Sequence, residues 1–342
     1  FLPIFERWKG APKATTLCLD RANHLIRHDP HPSHIPNKNK VISGGSGRGK
    51  SVAAQLIDIQ PHAACKDTEI LLLESGASFA LTTETFGGLN IALGPKTDYR
   101  FNPLDLPPNY DSLPPGKQQE ELTYKLSFVK NFILCLANIR DPLMEQVAEN
   151  VIGKVAQDTY MAVRNPKLRD FYRMLGRYQN PDDPEAERFA GRLRTLLLNY
   201  VTDENGREGI YAKYFDVDTN FDVEAPMICF DLTDIKGDKA LLNPMMLSVI
   251  GSLFYNRIKR GDKRRLLIID EAWALLTADD YGQLSPAAKG IETFFREGRK
   301  LDASSVLISQ NYSDLVSNVI GKAISGNTEI KYFLANKRNA EN

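Results

Sequence analysis

Three spacings of apolar residues divide the chain. The first is strand-like: Val41 and Ile42 lead into a glycine-rich loop, the helix-forming stretch SVAAQLIDI follows, and Ile70 to Leu73 form a second apolar run. This order predicts a strand, loop, helix, strand unit between about residues 41 and 105. The second spacing is helical. Leu122, Leu126, Val129, Ile133 and Leu136 recur at intervals of four, three, four and three, so they line one helix face. Two more helices are signalled by Ala148, Ile152, Val155 and Thr159, and by Phe189, Leu193, Leu196 and Tyr200, with Pro142, Pro166 and Pro184 near their starts. The third spacing returns to strands, at Met227 to Phe230, Leu266 to Ile269 and Val306 to Ile308. Alternating strands and helices imply a parallel sheet covered on both faces, here interrupted between 117 and 200 by a helical insert. Residues 1 to 40, with Pro30, Pro32 and Pro36 and little periodicity, predict short edge strands and loops.

Composition narrows the classes. The 342 residues include 42% hydrophobic side chains, enough for a large core, and at roughly 150 residues per domain the length suggests about two domains. With 43 basic and 43 acidic residues the formal net charge is zero, which excludes a uniformly basic DNA-binding domain. No apolar run reaches the roughly 18 to 20 residues of a membrane span; the stretch from Phe128 to Ile139 is broken by Lys130 and Asn131. Cys18, Cys65, Cys135 and Cys229 are widely separated, so they suggest neither a disulfide framework nor a zinc ribbon, and a reducing cytoplasm fits best. The chain opens on Phe1 without a signal-like segment and is read as part of a longer polypeptide.

Two motifs carry chemistry. GGSGRGKS, residues 44 to 51, stands after an apolar strand and before a helix, which is the context a phosphate-binding loop requires. The residues assigned to it are Gly44, Gly45, Ser46, Gly47, Arg48, Gly49, Lys50 and Ser51. Glycines let successive backbone N–H groups face phosphate oxygens, the helix dipole adds attraction, Lys50 reaches the β and γ phosphates, and the Ser51 hydroxyl ligates Mg2+. The second motif, RRLLIIDEAW, delivers Asp270 and Glu271 at the end of a buried strand. Asp270 is expected to hold Mg2+ through its water shell, and Glu271 to polarise the water attacking the γ phosphate of ATP. Downstream, Gln310 ends an apolar strand and is a candidate γ-phosphate sensor or simply a polar strand terminus. Arg296, Arg299 and Lys300 form either a catalytic group reaching a neighbouring subunit's ATP or a solvated basic face.

In combination and order, GGSGRGKS, ILLLESGASF with FGG, FNPLDL at 101 to 106, DEAW at 270 to 273, GRK at 298 to 300 and SQN resemble the TraC-type ATPases of bacterial type IV secretion and conjugation systems. These are relatives of the HerA and FtsK pumps. The resemblance implies an α/β, RecA-like P-loop NTPase with a mainly parallel sheet and an all-α insertion subdomain. The core would comprise 1–110 and 206–342, and the insert 111–205. It implies hexamers with nucleotide between subunits, Arg299 and Lys300 acting across the interface, and a cytoplasmic position peripheral to the inner membrane, beside secretion-system components. Its expected substrate is protein or machine parts. A DNA translocase or coupling protein, and a nucleotide-gated scaffold with little turnover, stand as alternatives. Glu74 departs from the family's more usual Asp, and a chain beginning at Phe1 would lack the N-terminal domain that the resemblance implies. The isolated chain is therefore expected to be monomeric and poorly active, an expectation that a stable hexamer in light scattering at micromolar concentration would overturn.

Other signals read as structural. His24, His28, His31 and His34 lie among prolines that prevent helical alignment of two imidazoles, so they predict a polar loop near the nucleotide rather than a metal site. The run Arg257, Lys259, Arg260, Lys263, Arg264, Arg265 suits a helix C-terminus, with a basic collar for DNA in a ring as the second reading. Trp273 is read as a packing residue.

Overall fold

The computed structural model describes residues 15–19, 23–32, 35, 37–139, 142–254, 257, 262–270, 303–317, 322 and 325–334. Among the described residues the strand-like apolar runs come together in one seven-stranded sheet. Its members are β3 (Lys40–Ser43), β4 (Thr68–Glu74), β5 (Leu89–Ala92), β6 (Met227–Asp231), β7 (Arg264–Asp270), β8 (Ala303–Ser309) and β9 (Ile330–Phe333). Their order across the sheet is β5-β6-β4-β7-β8-β3-β9, and every pairing is parallel. β3, β4 and β8 are buried along their whole length, as expected of strands covered on both faces. β1 (Thr16–Leu19) and β2 (Leu25–His28) form a separate antiparallel pair and not the sheet edge.

The two faces of the sheet carry different cores. On one, Ile42, Leu72, Ile268 and Ile308 pack with Ala54, Ile57 and Ile59 of the helical run that follows the glycine loop. That run is α1 (Lys50–Ala54), a π-helical segment (Gln55–Ile59) and α2 (Gln60–Ala63). On the other face, Val41, Leu71, Leu73, Leu267 and Leu307 join one continuous core with the insert. The insert consists of α4 (Pro115–Ala137), α5 (Pro142–Ala162), α6 (Leu168–Leu175) and α7 (Pro184–Leu197), which follow the short α3 (Ala80–Thr85). Much of the helical spacing read from the sequence is buried: Val129, Ile133 and Leu136 of α4, Ile152 and Val155 of α5, and Phe189 and Leu193 of α7. Leu122 and Leu126 are half-buried, and Leu196, read on the same face as Leu193, is exposed. Among the described residues no helix is long and apolar enough to cross a membrane.

FNPLDL forms a strap between insert and core. The Asn102 side chain donates to Pro166 O (3.0 Å) and to Asp105 Oδ1 (2.7 Å), Tyr160 of α5 donates to Leu104 O (2.6 Å), and Thr219 donates to Asp105 Oδ2 (2.6 Å). Lys125 of α4 is fully buried, donating to Pro103 O (3.0 Å) and Ser252 Oγ (2.7 Å). Burial pushes its amine down to about 7, against the opposing pull of Asp105 and then Glu121. A lysine with a lowered folded pKa binds fewer protons in the native than in the unfolded state between about pH 7 and 10.5. Its contribution to stability therefore rises with pH across that window, by at most about 1.4 kcal/mol per pH unit. Urea midpoints measured from pH 6.5 to 9 should show this rise in the wild type, and Lys125→Met should lack it.

Three of the six residues of the basic run have partners inside the fold, and Arg264 at the start of β7 is exposed. Arg265 is buried and pairs with Glu69 (3.2 Å) and Asp262, Lys263 pairs with Glu69 (3.0 Å), and buried Arg257 donates to Val223 O. Lys259 and Arg260 lie outside the described residues.

Two of the four histidines differ from the polar loop near the nucleotide expected from the sequence; His24 is exposed, and His34 lies outside the described residues. His28 and His31 are buried. The His28 ring bonds Ile57 O through Nε2 (3.0 Å) and Tyr332 Oη through Nδ1 (2.9 Å), and the His31 ring meets His62 edge-on. Ile57 and His62 lie two to three turns beyond Lys50, so this cluster sits behind the helix and away from the glycine loop. His28 ends β2, on the side of the pair that also carries Cys18 and Ile26, whereas Leu17, Leu19 and Leu25 are exposed.

Candidate functional site

The glycine loop bridges β3 and α1 at the carboxyl edge of the sheet. Gly47 (φ 69°) and Gly49 (φ 81°) adopt left-handed backbone, which a Cβ would strain, and Gly49 is the residue from which α1 starts. The loop is held at its base, where Gly44 N–H donates to Ser309 O (3.2 Å), and at its tip, where Arg48 N–H donates to Gly45 O (3.2 Å). Ser46, Gly47, Arg48 and Gly49 are exposed, so backbone donors at the helix start are open to an incoming anion. Lys50 is buried in the first turn and its ammonium lies 3.4 Å from Gly45 O, inside the loop's curve. Ser51 follows, half-buried.

Strand order brings the second motif to the same edge. β8 lies between β3 and β7, with Ser43 level with Ser309 and Ile308 level with Asp270. Asp270 therefore ends β7 two strand spacings, about 10 Å, from the end of β3. Ile42, Ile308 and Asp270 are in register and share a face, the one on which α1 packs. Gln310 directly follows β8 and so stands between the loop strand and the Asp270 strand. The structure thus brings together residues 44 to 51, Asp270 and Gln310. Glu271, Trp273, Arg296, Arg299 and Lys300 lie outside the described residues.

Two further carboxylates join this edge. Leu73 pairs with Ile269, so Glu74 and Asp270 end adjacent strands side by side, and Glu74 pairs in turn with Asp231 of β6. Sequence spacing could not find this row, because it depends on the order of strands far apart in the chain. Burial pushes the Glu74 carboxyl above its usual range, against bonds from the Phe79 amide, the Cys229 thiol and the Ser78 amide that pull it down. The hydroxyl of Ser51 and the carboxylate of Asp270 are hard oxygen donors, the set that suits Mg2+.

A cavity of about 370 Å³ lies away from this edge, lined by Phe101, Asp105, Tyr110, Phe221, Val223 and Leu253. Val223 leads into the amino end of β6, so the cavity is not part of the glycine-loop site.

A parallel sheet with a glycine loop on its carboxyl edge, followed by a helix and faced by a strand-end aspartate, defines a RecA-like P-loop NTPase carrying a helical insertion. The sequence profile of the TraG P-loop domain matches residues 24–342, and the chain belongs to that family. Among solved structures it is similar to VirB4 of Thermoanaerobacter pseudethanolicus, with 19% identity and a TM-score of 0.70 over 96% of this chain and 86% of that one. It is also similar to the plasmid coupling protein TrwB in complex with ADP and Mg2+, with 14% identity and a TM-score of 0.57 over 96% of this chain and 76% of that one. No functionally curated protein matches the sequence.

Proposed function

We propose that this chain is an ATP-hydrolysing motor domain that energises type IV secretion or conjugation, working in a hexameric ring at the cytoplasmic side of the inner membrane beside secretion-system components. The observation that carries the reading is the meeting of the exposed loop tip, buried Lys50 and Asp270 on the α1 face of one sheet edge. Gly44 to Gly49 would cradle the phosphates, Lys50 would contact the β and γ oxygens, and Ser51 and Asp270 would hold Mg2+. When bound, Mg2+ supplies charge neutralisation between those phosphates. Glu271 would orient and polarise the attacking water, Gln310 would sense the γ phosphate, and Arg299 and Lys300 would act from the next subunit. Residues 1–110 and 206–342 would be the motor core and 111–205 its insert.

A coupling-protein role acting on DNA is favoured by the likeness to TrwB and disfavoured by the internal partners of Arg257, Lys263 and Arg265. Steady ATPase assays on Glu271→Gln test the main reading. The variant should bind ATP without turnover. Unchanged turnover would remove Glu271 from its role, and salt-sensitive stimulation of the wild type by DNA would promote the coupling-protein reading.

A further inference from the structure

Glu74 stands beside Asp270 on the same face of the sheet, where a second carboxylate could have joined a cation site. Its bonds run elsewhere. The side chain is 1% exposed, accepting from Ser78 N–H at 2.6 Å (Oε2), from Phe79 N–H at 3.1 Å (Oε1) and 3.2 Å (Oε2), and from the Cys229 thiol at 3.3 Å (Oε1). All of these partners are donors, so the ionised carboxylate satisfies every one of them and an amide NH2 could not. The bonds close a tight loop. Gly76 (φ 139°) and Ala77 (φ 52°) both have positive φ, an arrangement that for Ala persists only where surrounding contacts enforce it. Phe79 is fully buried at the base, and Gly76, Ala77 and Ser78 are exposed at the tip. From the other side, Gln55, directly after α1, donates through Nε2 to Ser78 O at 2.9 Å. Loop 75–79 is therefore gripped between the end of the Asp270-side strand row and the helix that begins with Lys50 and Ser51.

We infer that Glu74 is a positioning residue: it clasps loop 75–79 beside Asp270 and, through Ser78 and Gln55, fixes that loop to the phosphate-loop helix. This rests on the ATPase reading above. The clasp touches the Asp270 side of the edge and not the loop tip of residues 46 to 49, so it governs the rate of the chemical step more than nucleotide affinity.

The test uses the full-length protein. Glu74→Gln should lower kcat about tenfold or more with the KM for ATP within about threefold, since small displacements near the reacting centre cost rate before binding. Gln55→Ala, which leaves the carboxylate in place, should lower kcat in the same direction by about threefold or more. Both should raise hydrogen exchange at the Ser78 and Phe79 amides. Glu74→Gln without effect on kcat would overturn the inference. So would loss of turnover in Glu74→Gln with wild-type kcat and exchange in Gln55→Ala, because Glu74 would then act directly on the cation. If the wild type itself hydrolyses no ATP, the ATPase reading fails, and the exchange at Ser78 and Phe79 still decides whether the clasp exists. Should Glu74→Gln not fold, Gln55→Ala carries the test alone, and wild-type kcat and exchange in it would overturn the inference.

Discussion

Lys40→Met should destabilise the protein by about 3–5 kcal/mol, read as a lower urea midpoint, and Asp58→Leu alone should cost a similar amount. Lys40 opens β3 and Asp58 lies in the π-helical segment behind the glycine loop. Both side chains are completely buried, and they pair with each other, with Pro30 O as a second acceptor for the ammonium. Either single change strands a charge away from water. The double variant is the decisive measurement. Asp58 Oδ2 has no hydrogen-bond partner among the described residues, so the pair repays its desolvation incompletely. Lys40→Met with Asp58→Leu should therefore regain most of the lost stability, and a double variant as unstable as the sum of the singles would contradict this account. His62 lies against the same pair, its Nδ1 bonded to Asp58 O at 2.8 Å. Burial and then the Lys40 charge hold its imidazole well below the ordinary range, so it stays neutral beside the pair.

Arg299→Ala should lower ATP turnover by about 10³ to 10⁵, the range for an arginine that stabilises transition-state charge from a neighbouring subunit. Lys50→Ala should be inactive as well, for loss of the phosphate contact proposed for it. Mixing the two variants separates a role across the interface from one within the subunit. In mixed rings, an intact Lys50 site can face an intact Arg299, so part of the activity should return. Mixed rings shown to form but without restored turnover would place the role of Arg299 within its own subunit or nowhere.

The sheet was legible because fully buried parallel strands read as continuous apolar runs; Ile70 to Leu73 and Leu266 to Ile269 needed no partner to be recognised. The glycine loop was legible because its backbone geometry demands glycine, and the insert because its burial follows the helical period. What escaped the sequence depends on partners distant along the chain. The edge strand β9 alternates half-buried and exposed positions over only four residues, too short a pattern to stand out. Lys40 looks like a solvated lysine in KNKVIS until Asp58 is placed against it. The Glu74, Asp270 and Asp231 row exists only in the order β6-β4-β7, and no spacing encodes that order. FNPLDL was visible as a motif, yet its use as a strap required Pro166, Tyr160 and Thr219 to be beside it.

The shared core beneath the insert has a mechanical meaning. Phe132, Phe171 and Leu193 belong to the same apolar body as Leu71 and Leu73 of β4, which carries Glu74 at its end. An arm attached through a thin linker would swing and dissipate a push as rotation. An arm whose base is embedded in close-packed side chains behaves as a cantilever, because a densely packed interior has low compressibility and passes strain onward. Load applied to the outer helices should then be felt as stress at the root of β4, beside Asp270, and a change of state at that edge should reach the insert as displacement.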